Sequence, residues 1–166
     1  MGNILRVNIS DGQCNTAELP LELIGLGGRG MTSSIVAGEV PPTCDPLGPE
    51  NKLVFAPGIL SGTACPNSGR LSVGGKSPLT GGIKESNVGG NGASKIARVG
   101  LDALIVEGQP EPGKLFLLIL KKDSAELVPA DDLKGMGTYD LTKTLKEKYG
   151  GGNLQLSVSG LQVNNS

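Results

Sequence analysis

Charge and backbone freedom coincide in one stretch of the chain, residues 56–91, APGILSGTACPNSGRLSVGGKSPLTGGIKESNVGGN. Arg70, Lys76 and Lys84 are its full positive charges, and Glu85 is its single acid. Ten of the 27 glycines lie between Gly58 and Gly92, so backbone N–H groups can meet a ligand without bulky side chains in the way. Short apolar runs alternate with Gly/Ser/Thr/Asn turns. Such a composition suits a flat, anionic, polyphosphate-like ligand, held by an arginine fork and by concave backbone.

Two familiar phosphate motifs do not fit. Gly74-Gly75-Lys76-Ser77 looks like the end of a Walker A loop, but the position that needs the first glycine is Arg70, and Pro78 follows at once. Gly90-Asn91-Gly92 lacks the third glycine of a dinucleotide fingerprint. Earlier in the chain, GLGGRG at 25–30 puts Arg29 beside an expected helix start, where free N–H groups favour an anion. An arginine there is also an ordinary solvated neighbour of a helix cap.

Several chemistries are excluded by what is missing. The chain has no His and no Trp, and its aromatic content is 2%, which removes histidine acid–base catalysis and base-stacking platforms. A net charge of −1 gives no electrostatic case for nucleic acid or an anionic membrane. Cys14, Cys44 and Cys65 are odd in number and show no CxxC spacing, so free, mostly buried thiols are expected rather than disulfides. No run nears the roughly 18 apolar residues of a membrane span, and the first ten residues lack a signal-peptide profile. A cytoplasmic protein is expected.

At 166 residues the chain is read as a single domain, 1–166, with enough length for a real core. Residues 4–9 alternate as a strand with Leu5, Val7 and Ile9 on one face, and Asp11-Gly12 turns it into a hairpin. A brief helical run after Pro20 is followed by a second helix from Gly30, ended by Gly38 and Pro41-Pro42. The four prolines of 41–49 exclude regular structure. Strands are expected at 52–56, 71–73, 82–83 and 103–106, with a helix at 94–99. A hairpin of 115–120 with 126–128 follows, then a helix over 138–149 capped by Thr138, and a last strand at 154–160. No internal repeat is seen. The order of elements predicts α+β, with mostly antiparallel sheets and short helices.

The run from Val40 to Gly90, with its DPLGPENKL, SGR, KSPLTGG and SNVGG, resembles the N-terminal domain of the tungsten-containing aldehyde:ferredoxin oxidoreductases. GLGGRG and ARVGLDALIVEG, at 97–108, fit the same family in the same order. The resemblance implies an oxidoreductase whose N-terminal domain is the base beneath a tungsten (or molybdenum) bis-pterin. It assigns Arg70 to the space between pterin and iron–sulfur cluster. It assigns the main-chain carbonyl of Asn87 to a magnesium ion that bridges the pterin phosphates. Gly89 and Gly90 would bring backbone against the cofactor, with Lys76 and Ser77 as further cofactor-binding candidates. No catalytic residue is implied in this chain. Its partners would be the remaining oxidoreductase domains or a catalytic subunit, with ferredoxin involved indirectly; self-association is the other expectation, and no nucleic acid or membrane is implied.

The chain departs from that pattern in three ways: it lacks a second glycine-rich pterin segment, the CxxC of a cluster, and the aromatics usual after SNxGG. A 4Fe-4S cluster is therefore expected only in the full enzyme, and the isolated chain is expected to be inactive. The alternative is a cofactor-free structural or interaction module descended from the same domain. Three scattered thiols leave a cluster one ligand short, so reconstitution with iron and sulfide should give no stable cluster. Stoichiometric iron with a brown charge-transfer band, lost in Cys65→Ser, would contradict this.

Overall fold

The computed structural model describes residues 2–122 and 124–150. The strand expected at 154–160 lies outside them. Strands β1 (Asn3–Asn8) and β2 (Gln13–Glu18) form the expected hairpin, with Gly12 at φ 75° in the turn. A 3-10 turn (Leu21–Leu23) leads into helix α1 (Gly28–Glu39). Gly38 lies inside that helix rather than ending it; the stop is Val40, just before Pro41-Pro42, which cannot continue an α-helix.

Strands β3 (Lys52–Pro57), β4 (Leu71–Lys76) and β5 (Ile83–Val88) follow, then helix α2 (Gly92–Arg98) and strand β6 (Leu101–Glu107). They join the first hairpin in one six-stranded sheet of order β2-β1-β6-β3-β4-β5. Its pairs are antiparallel except β1 with β6. Strands β7 (Phe116–Lys121) and β8 (Ser124–Pro129) make a separate hairpin. A second 3-10 turn (Asp131–Leu133) and helix α3 (Thr138–Tyr149) complete the described chain. The architecture is α+β and mainly antiparallel, as the order of elements predicts.

Side chains leave a strand alternately to its two faces, and the sheet uses both. On one face Ile4, Val54, Ala56, Ala103 and Ile105 pack against Met31, Ile35 and Val36 of α1. On the other, Leu5, Val7 and Leu104 pack with Ile96 and Val99 at α2 and with Leu118, Leu120 and Leu127 of the β7–β8 hairpin. Helix α1 can lie close on β4 because a Cβ on Gly74 would stand 2.8 Å from Cβ of Thr32.

At one end of the sheet, Glu39 at the last turn of α1 accepts from both Arg6 Nη1 and Nη2, at 2.8 and 2.6 Å. Lys52 Nζ lies 2.6 Å from Glu39 and 2.9 Å from Glu107, so four charges from α1, β1, β3 and β6 close on one another.

The order of elements recurs within the described chain. The hairpin, 3-10 turn and 12-residue helix of the first half recur as β7, β8, the second 3-10 turn and α3. Leu23-Ile24-Gly25-Leu26-Gly27 returns as Leu133-Lys134-Gly135-Met136-Gly137. Gly25 and Gly135 are both left-handed, at φ 80° and 76°, and Gly27 and Gly137 are both extended N-cap residues. Leu26 N bonds Leu23 O at 3.1 Å, and Met136 N bonds Leu133 O at 3.3 Å. Only three of these five positions are identical, and the helices that follow differ in charge and apolar content. Thr138 is consequently the first helical residue, and the cap is Gly137, not Thr138.

The bidentate Arg6 bond, with the one bond that Lys52 makes to it, holds the Glu39 carboxyl at about 2, well below its ordinary 4.5. A carboxyl depressed in the folded state contributes stability above its unfolded pKa and loses it as pH falls through the folded one. About 1–3 kcal/mol, discounted for partial exposure, should therefore vanish between pH 4.5 and about 2. Urea midpoints across that range should fall steeply in the native chain and less so in Glu39→Gln. Parallel curves would refute the assignment.

Candidate functional site

Residues 58–70 fold back on themselves through short local bonds. Gly58 N donates to Arg70 O at 2.9 Å, and Ser61 Oγ donates to Ser68 O at 2.8 Å. Thr63 Oγ1 donates to Leu60 O at 2.7 Å, Ser68 Oγ to Cys65 O at 2.8 Å, and Asn67 takes φ 57°. The loop therefore hands Arg70 to the start of β4 in a set position. Across the ladder Leu71 pairs with Val88, which places Gly89 beside Arg70.

Two glycines permit the approach. A Cβ on Gly69 would lie 2.7 Å from Gly90 O, and one on Gly89 would lie 3.7 Å from Arg70 Nη1. Gly90 itself is left-handed, at φ 106°. The Arg70 side chain is exposed and has no carboxylate partner among the described residues.

Asn87 sits in the edge strand β5, not in a turn, and pairs with Ser72. Ser72 Oγ donates to Asn87 Oδ1 at 2.9 Å, and a Cβ on Gly28 would stand 3.3 Å from that hydroxyl. The first turn of α1 thus reaches the same edge. Arg29 there is solvated, as expected of a residue beside the helix start, and its Nε also donates to Glu85 Oε2 at 3.0 Å. The Glu85 side chain is only 7% exposed, and its Oε1 has no hydrogen-bond partner among the described residues. The acid that might have competed for Arg70 is therefore held inside, against α1.

Lys76 and Ser77 stand apart. Lys76 is nine-tenths buried, and its ammonium donates to the carbonyls of Pro42 and Cys44, both at 2.6 Å. It lies at the far end of β4, on the order of 15–20 Å from Arg70 at about 3.3 Å per residue. Ser77 Oγ accepts from Leu79 N and Thr80 N, closing a local turn. Both residues serve the proline-rich loop and its neighbour rather than the strip beside Arg70.

Asn51 explains the DPLGPEN motif in the same way. Its Nδ2 donates to Pro46 O and Lys76 O, and its Oδ1 accepts from Lys76 N and Lys52 N. Sequence reasoning passed over Asn51, Ser72 and Gly28, whose roles depend on partners fifteen or more residues distant. Among the thiols, Cys44 is buried and Cys14 half-buried, whereas Cys65 is exposed in the 58–70 loop, contrary to the expectation of mostly buried thiols. Burial raises the Cys14 thiol pKa. No group of three or more His, Cys, Asp or Glu able to hold a metal occurs among the described residues, and no described helix is long and apolar enough to cross a membrane.

Glycine-lined backbone, one exposed arginine and a sheet edge make up the class of site. The comparisons agree on where it comes from. The family of the aldehyde ferredoxin oxidoreductase N-terminal domain matches residues 4–165, so the chain belongs to that family. It is 38% identical over 161 residues to the tungsten-containing aldehyde ferredoxin oxidoreductase of Thermococcus kodakarensis and 36% identical to that of Pyrococcus furiosus. In both cases 96% of this chain and 26% of the relative are covered, so the chain spans about a quarter of these proteins. An aliphatic sulfonate oxidoreductase, WOR-like subunit, of Pyrococcus furiosus is 31% identical over 150 residues. Among solved structures, the active-site complex BamBC of benzoyl coenzyme A reductase superposes with a TM-score of 0.82 at 31% identity, over 89% of this chain and 22% of that one.

The contact of Gly69 with Gly90 O is backbone against backbone and cannot be relieved by a rotamer. Gly69→Ala should cost about 1–3 kcal/mol as overpacking, read by urea denaturation. A variant as stable as the native chain would show that the two segments do not meet there.

Proposed function

We propose that this chain is the pterin-facing base of a tungsten or molybdenum bis-pterin oxidoreductase that acts on aldehydes with ferredoxin, and that it is inactive without the rest of that enzyme. The observation that carries the reading is the union of two motifs, SGR and SNVGG, into one strip where the Arg70 guanidinium lies over Gly89. A residue larger than glycine at 89 or 69 would fill that strip.

The residues present fit the phosphate-bearing edge of a pterin. Arg70 offers a planar fork of donors with no carboxylate partner among the described residues. Gly89 and Gly90 leave backbone open at the sheet edge, and the Asn87 main-chain carbonyl is the protein oxygen that would help hold a magnesium ion. With no carboxylate cluster among the described residues, such an ion would rely on phosphate oxygens for most of its shell. Lys76 and Ser77 are left out of this assignment because their polar groups are already engaged. When bound, the metal–pterin supplies the redox chemistry, and this chain's part is to bind and orient its anionic edge. Iron–sulfur ligands and substrate-pocket residues belong to the remaining domains or subunit.

Calorimetry with pyrophosphate on the native chain and Arg70→Ala tests the site. Loss of a charged hydrogen bond of about 1.5–3 kcal/mol should weaken binding roughly ten- to a hundredfold. Equal affinity in both would refute the role of Arg70. No binding by either would favour the cofactor-free module instead.

A further inference from the structure

The pairing of β4 with β5 sets Ser72 opposite Asn87, on the face of the sheet that α1 covers. Ser72 is 2% exposed, and Gly28 at the start of α1 closes over its hydroxyl, where a Cβ would stand 3.3 Å from Oγ. Among the described residues that hydroxyl donates only to Asn87 Oδ1, at 2.9 Å. Turning the amide over would leave a buried hydroxyl proton without an acceptor, so the amide is held in one orientation. Its Nδ2 keeps two N–H groups without a partner among the described residues, on an exposed residue of an edge strand. The Arg70 guanidinium lies over Gly89, two residues further along, on the order of 7 Å away at about 3.3 Å per residue. Glu85, two residues the other way, is buried and bonded to Arg29.

We propose that the Asn87 side-chain amide is a second anion donor of the strip, and that Ser72 is its positioning residue. The inference rests on the phosphate reading of Arg70 and adds to it a group distinct from the Asn87 main-chain carbonyl. The ligand class is a diphosphate: one phosphoryl group takes the planar fork of Arg70, and the other accepts from Asn87 Nδ2. The carbonyl end of the amide is engaged by Ser72, so N–H groups rather than a lone pair meet the anion. An amide already fixed by a buried hydroxyl loses little further freedom on binding, which lets a neutral donor contribute beside a cation.

The test is calorimetry with pyrophosphate on the 166-residue chain, in buffer with a chelator so that no magnesium takes part. Asn87→Ala should bind at least about tenfold more weakly than the native chain, and Ser72→Ala roughly three- to tenfold more weakly. The double variant should bind no more weakly than Asn87→Ala, because Ser72 acts only through that amide. Native affinity in Asn87→Ala would overturn the donor role, and losses that simply add would overturn the positioning role of Ser72. On the isotope-labelled native chain, where no variant has to fold, the Asn87 side-chain N–H signals should shift saturably with pyrophosphate. Signals that stay in place while pyrophosphate binds would also overturn the proposal. Binding that needs Arg70 but not Asn87 sinks this inference alone, whereas no binding by the native chain sinks the phosphate reading and this inference with it.

Discussion

Two-sided burial of β6 is the constraint on which the other elements depend. Ala103 and Ile105 point to the α1 layer, while Leu101 and Leu104 point to α2 and the second hairpin. Covered on both faces, β6 also sits inside the sheet, parallel to β1 and antiparallel to β3. Beyond β3 the sheet continues through β4 to β5, which is an edge. The residues that could meet a ligand, Asn87 through Gly90, are exposed because the apolar strands have taken the centre.

Glycine then decides how closely these layers meet. Gly74 lets α1 settle on β4, Gly75 lets β4 pass Lys52 O, and Gly69 lets the arginine loop reach Gly90. Each contact is backbone or β-branched side chain, so a larger residue would have to displace a whole segment. The glycine richness of residues 56–91 therefore reflects packing as much as ligand access.

Charge follows the same division between interior and edge. Lys76 is tied by carbonyls, Arg29 by Glu85, and Arg6 and Lys52 by Glu39 and Glu107. Each of these cations fastens a helix or loop to the sheet. Arg70 differs from them in having no such partner among the described residues. Cationic side chains cluster in the sequence, but their partners lie in distant segments, which separates a strut from a ligand-facing group.

Much of the fold was legible from local pattern. Alternating apolar residues marked β1, a short apolar run marked β6, Asp11-Gly12 marked the first turn, and Leu141 with Leu145 marked α3. The resemblance carried by SGR and SNVGG named the family. Tertiary structure alone decided which candidates share a place: Arg70, Asn87, Gly89 and Gly90 come together through β-ladder register, while Lys76 leaves for the proline-rich loop. It also showed the recurring order of hairpin, 3-10 turn and helix, and it placed Asn87 in the edge strand β5. The physical reason is the same in each case. Periodicity and turn chemistry act over a few neighbouring residues, whereas pairing register and the partner of a buried charge are set by segments far along the chain.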